Sequence, residues 1–130
     1  WDESKNAGFS TGQPWLAVNP NYEKINVQEA LANPESIFYT YQKLVQIRKE
    51  NSWLIRADFE LLDTADKIFA YIRKDGDRRF LVVANLSNEK QNFSVEGRVK
   101  SILIENTTAK EAVEKQTLAP WDAFCVELTD

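Results

Sequence analysis

The runs Lys67-Ile68-Phe69-Ala70-Tyr71-Ile72-Arg73 and Arg79-Phe80-Leu81-Val82-Val83-Ala84-Asn85 are separated only by Lys74-Asp75-Gly76-Asp77. No other stretch narrows the fold of this chain so far. Asp-Gly between two β-rich runs is a strong hairpin signal, because glycine enters positive φ without a steric penalty. Further short strands are expected at 59–62, 92–95, 100–104 and 124–128, with turn signals at Asn85-Leu86-Ser87-Asn88 and Glu96-Gly97. Strands this short, recurring at this spacing, predict a mainly β fold built as a small antiparallel β-sandwich.

The first fifty residues have a different texture. Residues 1–33 carry Asn6-Ala7-Gly8-Phe9, Gly12-Gln13-Pro14-Trp15 and Val18-Asn19-Pro20-Asn21-Tyr22, punctuation that predicts irregular backbone. A flexible linker would be polar or Gly/Ser-rich. A loop with this many large apolar side chains is expected to be pinned against another surface. Asn26 followed by Glu29 has the spacing of a cap for one short helical turn. Next comes one amphipathic helix, expected from Pro34 to Asn51, with Asn33 as its cap and Pro34 at its first position. Ile37, Tyr41, Leu44 and Val45 share one face, widened by Phe38 and Ile47. Such a stripe calls for a large surface to pack on.

Chemistry is harder to find. The net charge is −4, and the basic residues sit scattered or beside acids, which argues against a nucleic-acid surface, so no nucleic-acid partner is expected. There is no histidine and a single cysteine, Cys125, so zinc and copper have no ligand set and a thiol nucleophile has no histidine base. Cys125 lies in a strand pattern and is expected to be a small buried hydrophobe; a lone free thiol fits a reducing compartment. Glycosidase chemistry would need two carboxylates held about 5 to 10 Å apart. Asp63, Asp66, Asp75 and Asp77 instead flank or occupy turns, where aspartate is favoured for its bonds to the backbone. No catalytic residue, metal ligand or cofactor is expected. Among the aromatics, Trp1, Phe9, Trp15, Tyr22, Trp53 and Trp121 either fill a core or stack on sugar faces. No apolar run approaches the roughly 20 residues that a membrane-spanning helix needs. The chain opens Trp1-Asp2-Glu3 and has no methionine, so its first residue is not expected to be a natural translation start.

A resemblance enters with the first zone. Trp1-Asp2-Glu3-Ser4-Lys5-Asn6-Ala7-Gly8-Phe9-Ser10, then Pro14-Trp15-Leu16-Ala17-Val18-Asn19-Pro20-Asn21-Tyr22 and Ile25-Asn26-Val27, closely resembles the late catalytic-domain segment of the oligo-1,6-glucosidase group of the α-amylase superfamily. The helix resembles the last helix of that group's (β/α)8 barrel, and the remainder the small sandwich that follows it. On this resemblance residues 1–51 are the tail end of the barrel and residues 52–130 the C-terminal sandwich domain. The resemblance implies a cytoplasmic, retaining, exo-acting enzyme that releases glucose from α-1,6-linked isomalto-oligosaccharides. The group's Asp nucleophile, Glu acid/base and second Asp all lie upstream, so no catalytic role passes to this chain.

What carries over is position. Barrel active sites are built from the loops at the carboxyl ends of the strands. Trp1 and Asp2 resemble part of the last such loop, and are candidates to border the substrate. The partners implied are the parent's own barrel and its oligosaccharide substrate. Other readings stay open: a carbohydrate-binding sandwich using Trp53 or Trp121, the same region of a trehalose-6-phosphate hydrolase or other α-glucosidase, or a structural domain. Without a barrel, the helix stripe and aromatic loop lose their cover, and self-association or poor order of the first thirty residues is expected.

Overall fold

The computed structural model describes residues 1–129 and separates into two compact units, one of residues 1–47 and one from residue 48 onward. The second unit holds the sheet. Its strands are β1 (Asp58–Leu61), β2 (Ile68–Asp75), β3 (Arg78–Asn85), β4 (Gln91–Asn92), β5 (Arg98–Glu105), β6 (Thr117–Leu118) and β7 (Ala123–Thr129). Five of them form an antiparallel sheet in the order β1-β2-β3-β7-β5, while β4 and β6 pair as a second, two-stranded sheet. The mainly β, antiparallel architecture is thus present.

The hairpin forms where the Asp-Gly step places it. Asp75 pairs with Arg78, leaving Gly76 and Asp77 as a two-residue turn with Gly76 at φ +60°. Alternation then decides which side of the sheet is core. Ile68, Ala70 and Ile72 of β2, Leu81 and Val83 of β3, and Phe124, Val126 and Leu128 of β7 point one way. They are covered by Phe93, Leu118 and the buried residues Ala109, Ala112 and Val113 of a helix, α3 (Ala109–Lys115). This helix was not expected from the sequence.

The opposite face is only partly covered. Phe80 is buried there because Trp53 stacks on it, with ring centroids 3.8 Å apart, and the Arg78 guanidinium lies 4.6 Å from the Phe80 ring. Trp53 lies outside the strands. It sits in a 3-10 turn, Ser52–Ile55, which the Arg73 guanidinium clamps to the sheet by donating to the carbonyls of Leu54 (2.9 Å) and Ala57 (2.8 Å). Cys125 also lies on this face, half-buried rather than in the core, and burial pushes its thiol up to about 11.

One glycine is held by close approach. Gly97 has φ +110°, and a Cβ there would stand 2.3 Å from the carbonyl oxygen of Thr129. Gly97→Ala is expected to cost about 1–2 kcal/mol, read as a lowered urea midpoint. An unchanged midpoint would show that the two chain segments separate freely.

In the first unit, Asn26 caps α1 (Val27–Ala32) as its spacing predicts, its side-chain oxygen accepting from the Glu29 amide at 2.9 Å. The longer helix, α2 (Ile37–Glu50), starts later than Pro34. Asn33 stands between the two helices: its amide donates to the Glu29 carbonyl and closes α1, while its side-chain oxygen accepts from the Glu35 amide at 3.0 Å, the capping bond expected of it, over the turn that leads into α2. The stripe of α2 is bare, with Ile37 86% and Tyr41 68% exposed, and no residue of the helix is buried.

Candidate substrate-proximal loop

The amino-terminal loop is irregular but tightly tied. Asn6, Ala7 and Gly8 all have positive φ (59°, 55° and 74°), a left-handed turn in which Ala7 is fully buried. L-residues avoid this region, so the surrounding bonds must hold it. The Ala7 amide donates to the Ser4 carbonyl at 2.8 Å, and the Phe9 amide to the Asn6 carbonyl at 3.1 Å. The Asn6 side chain donates to the carbonyls of Ser10 (2.9 Å) and Gly12 (3.0 Å), closing the following turn.

Both candidate residues belong to this knot. Trp1 is 54% exposed; its ring lies against Phe9 with centroids 5.8 Å apart, and its carbonyl accepts from the Gln28 amide. Asp2 is half-buried, and its Oδ1 accepts from the Ser4 amide at 2.9 Å and from the Ser4 hydroxyl. The Ser4 side-chain and backbone bonds hold the Asp2 carboxyl below its ordinary range, so it is a carboxylate at neutral pH. Nearby, a shallow cavity of about 220 Å³ is lined by Asn6, Gln13, Pro14, Leu16, Ala17, Val18 and Tyr22. Trp15 is 93% exposed.

The remaining candidates are not brought together. Trp53 and Trp121 belong to opposite ends of β3: Trp53 on Phe80 near its start, Trp121 donating its amide to Ser87 just past its end. Trp121 is 59% exposed and left-handed at φ +62°. Asp63, Asp66, Asp75 and Asp77 stay in or beside turns, and among the described residues no three of His, Cys, Asp or Glu are grouped to hold a metal.

An aromatic cluster was missed. Phe59 of β1 and Phe69 and Tyr71 of β2 touch across the outer face, with centroids 5.0 Å and 5.5 Å apart, and Leu61 beside them is 61% exposed. The signal was there: Ile68-Phe69-Ala70-Tyr71-Ile72 is apolar on both faces, as in a strand covered from both sides.

Comparison with known proteins gives this arrangement a family. Residues 1–57 match the family model of the α-amylase catalytic domain, and residues 59–125 that of the maltogenic amylase C-terminal domain. Glucan 1,6-alpha-glucosidase of Streptococcus pneumoniae is 89% identical over 98% of this chain and 24% of its own length. Oligo-1,6-glucosidase of Bacillus cereus is 39% identical over 98% of this chain and 24% of its own. Among solved structures, trehalose-6-phosphate hydrolase of Bacillus licheniformis superposes with a TM-score of 0.88 at 33% identity, covering 100% of this chain and 25% of that one. The chain therefore spans about a quarter of the length of the relatives it matches. With a catalytic-domain segment followed by a C-terminal β domain, it belongs to the α-amylase family of glycoside hydrolases.

Proposed function

We propose that this chain is the carboxy-terminal part of a retaining, exo-acting glucan 1,6-α-glucosidase that releases glucose from α-1,6-linked isomalto-oligosaccharides. In this reading residues 1–51 complete the catalytic barrel and residues 52–130 form the domain that braces it. The 89% identity to the streptococcal relative across nearly the whole chain carries the reading. Its role is mechanical: the chain supplies no nucleophile and no proton donor, and its residues cover and hold the part that does.

Two bare apolar surfaces support that role. One is the stripe of α2, the other the outer sheet face with Phe59, Leu61, Phe69 and Tyr71. Exposed apolar areas of this kind mark surfaces that another body covers. The barrel portion of the parent is the partner proposed here. Trp1 and Asp2, on the loop that enters this piece, are proposed to border the substrate, and the lone thiol accords with a cytoplasmic enzyme.

The isolated chain is expected to show no hydrolysis of p-nitrophenyl α-glucoside. A barrel portion lacking it is expected to be inactive or insoluble, and activity on isomaltotriose is expected when the two are expressed as one chain. Turnover by a clean preparation of the isolated chain would overturn the reading. A second reading, a glucan-holding surface on the sandwich, is favoured by the exposed, left-handed Trp121. It requires Trp121→Ala to weaken retention on a dextran matrix, with hydrolysis of isomaltotriose unchanged.

A further inference from the structure

We propose that Asp2 and Gly8 are positioning residues for Trp1, holding its ring in place through Ser4 and Phe9 rather than touching substrate themselves. The proposal rests on the reading that this loop borders the substrate.

The bonds form a closed circuit. The Asp2 amide donates to the Ala7 carbonyl at 3.3 Å, and the Asp2 carboxylate is gripped by Ser4. On its other side lies Gly8. A Cβ on Gly8 would stand 2.9 Å from Asp2 Oδ2 and 3.0 Å from Oδ1, the oxygen that Ser4 holds. Real side chains essentially never approach so closely, and the φ of +74° would strain any other residue there. The missing side chain of Gly8 is therefore the space in which the carboxylate sits. Phe9 follows directly, and its ring is the one that Trp1 leans on. Trp1 has two long bonds outside this circuit, from the Gln28 amide to its carbonyl (3.3 Å) and from its indole N–H to the Ile25 carbonyl (3.5 Å), so moving the Asp2 carboxylate away from Ser4 shifts the Trp1–Asp2 peptide and the Phe9 ring and leaves Trp1 on those two alone.

Positioning and contact predict different results in the intact enzyme that contains this segment. If Asp2 positions, Asp2→Asn stays close to wild type, because an amide oxygen can still accept from the Ser4 amide. Asp2→Ala and Gly8→Ala are then expected to raise KM for isomaltotriose on the order of tenfold with kcat nearly held, the signature of a binding group that has moved. Ser4→Ala is expected to reproduce part of the Asp2→Ala loss, and the double variant to be no worse than Asp2→Ala alone. Asp2→Asn and Ser4→Ala exchange exposed or half-buried polar groups, so their effects are readable without loss of the fold.

Trp1→Ala separates the two layers of the argument. If it leaves KM and kcat unchanged, the loop does not border substrate, and the positioning proposal falls with that reading. If Trp1→Ala is damaging while Ser4→Ala and Gly8→Ala are silent, the loop reading stands and the positioning proposal is overturned. Asp2→Asn as damaging as Asp2→Ala, with Ser4→Ala silent, would also overturn it by making Asp2 itself the contact.

Discussion

Replacing Asn85 by alanine is expected to destabilise the β unit by about 3–5 kcal/mol, among the largest effects of any single side chain here. Asn85 is 2% exposed, yet every polar atom of its side chain is used. Its amide group donates to the carbonyls of Glu89 and Ala119, both at 2.8 Å, and its oxygen accepts from the Ser87 amide (3.1 Å) and hydroxyl (2.7 Å). The residue thus ties the turn after β3 to the segment leading into β7. Alanine removes four bonds at about 0.5–1.5 kcal/mol each and leaves the Ser87 amide without its acceptor, while the two carbonyls keep only the longer bonds from the Ser87 hydroxyl to Glu89 and from the Asp122 amide to Ala119, both 3.2 Å. Asn85→Asp tests the assignment, since it keeps the acceptor but turns both donors into lone pairs facing carbonyls. It is expected to be at least as damaging at neutral pH. A urea midpoint within error of wild type for both variants would show that the network is dispensable.

The second large effect belongs to Glu127. This carboxylate lies on the partly covered face with its side chain only 7% exposed, and accepts from Arg78 Nε at 3.0 Å, Lys100 Nζ at 2.9 Å and the Ser101 hydroxyl at 3.1 Å. Arg78 first, and Lys100 after it, pull the carboxyl down from its ordinary value of 4.5 to about 2. Glu127→Ala is expected to cost about 2–3 kcal/mol; the loss stays below that of a wholly buried pair because the Arg78 and Lys100 side chains are about half exposed and can rehydrate. The sign of the pH dependence follows from the lowered pKa. Between pH 4.5 and about 2 the unfolded chain binds a proton that the folded chain refuses, so stability rises with pH across that window. The advantage of wild type over Glu127→Gln is therefore expected to be complete above pH 4.5 and to shrink on acidification. A constant gap between their urea midpoints from pH 7 to pH 3 would contradict this origin.

Much of the β unit was legible because its signals are local. The Asp75-Gly76 step and two continuous β-rich runs are enough to place β2, the turn and β3. The missed helix α3 has a physical explanation. Ala109, Ala112 and Val113 have the right spacing, but two of the three are alanine, whose small apolar side chain barely registers in a hydrophobic pattern. Asn33 serves both helices, its backbone amide closing α1 and its side chain capping the turn before α2, so the residue type alone did not fix where α2 begins.

The candidate site was legible in name and not in construction. Trp1 and Asp2 stand out through resemblance, whereas the dependence of Asp2 on an empty side-chain position at Gly8 follows no periodicity. It arises from three successive left-handed residues, of which Asn6 and Gly8 enter that region readily and Ala7 does not. The outer aromatic cluster falls between these cases: the two-faced apolar pattern of β2 announces a cover, and only the strand register shows that Phe59 and Leu61 join it.

The sheet order also has a consequence for biosynthesis. β7 lies between β3 and β5, so the strand that zips the sheet together follows every other strand in the sequence. During translation β3 has an open edge, and β5 has no strand partner in this sheet, until residues 123–129 leave the ribosomal tunnel. Pairings of such long sequence separation are slow to form, and unpaired edges invite neighbouring chains. The sheet can therefore close only after residues 123–129 have emerged, and nascent chains stalled just short of that point are the ones most exposed to aggregation and most in need of chaperones.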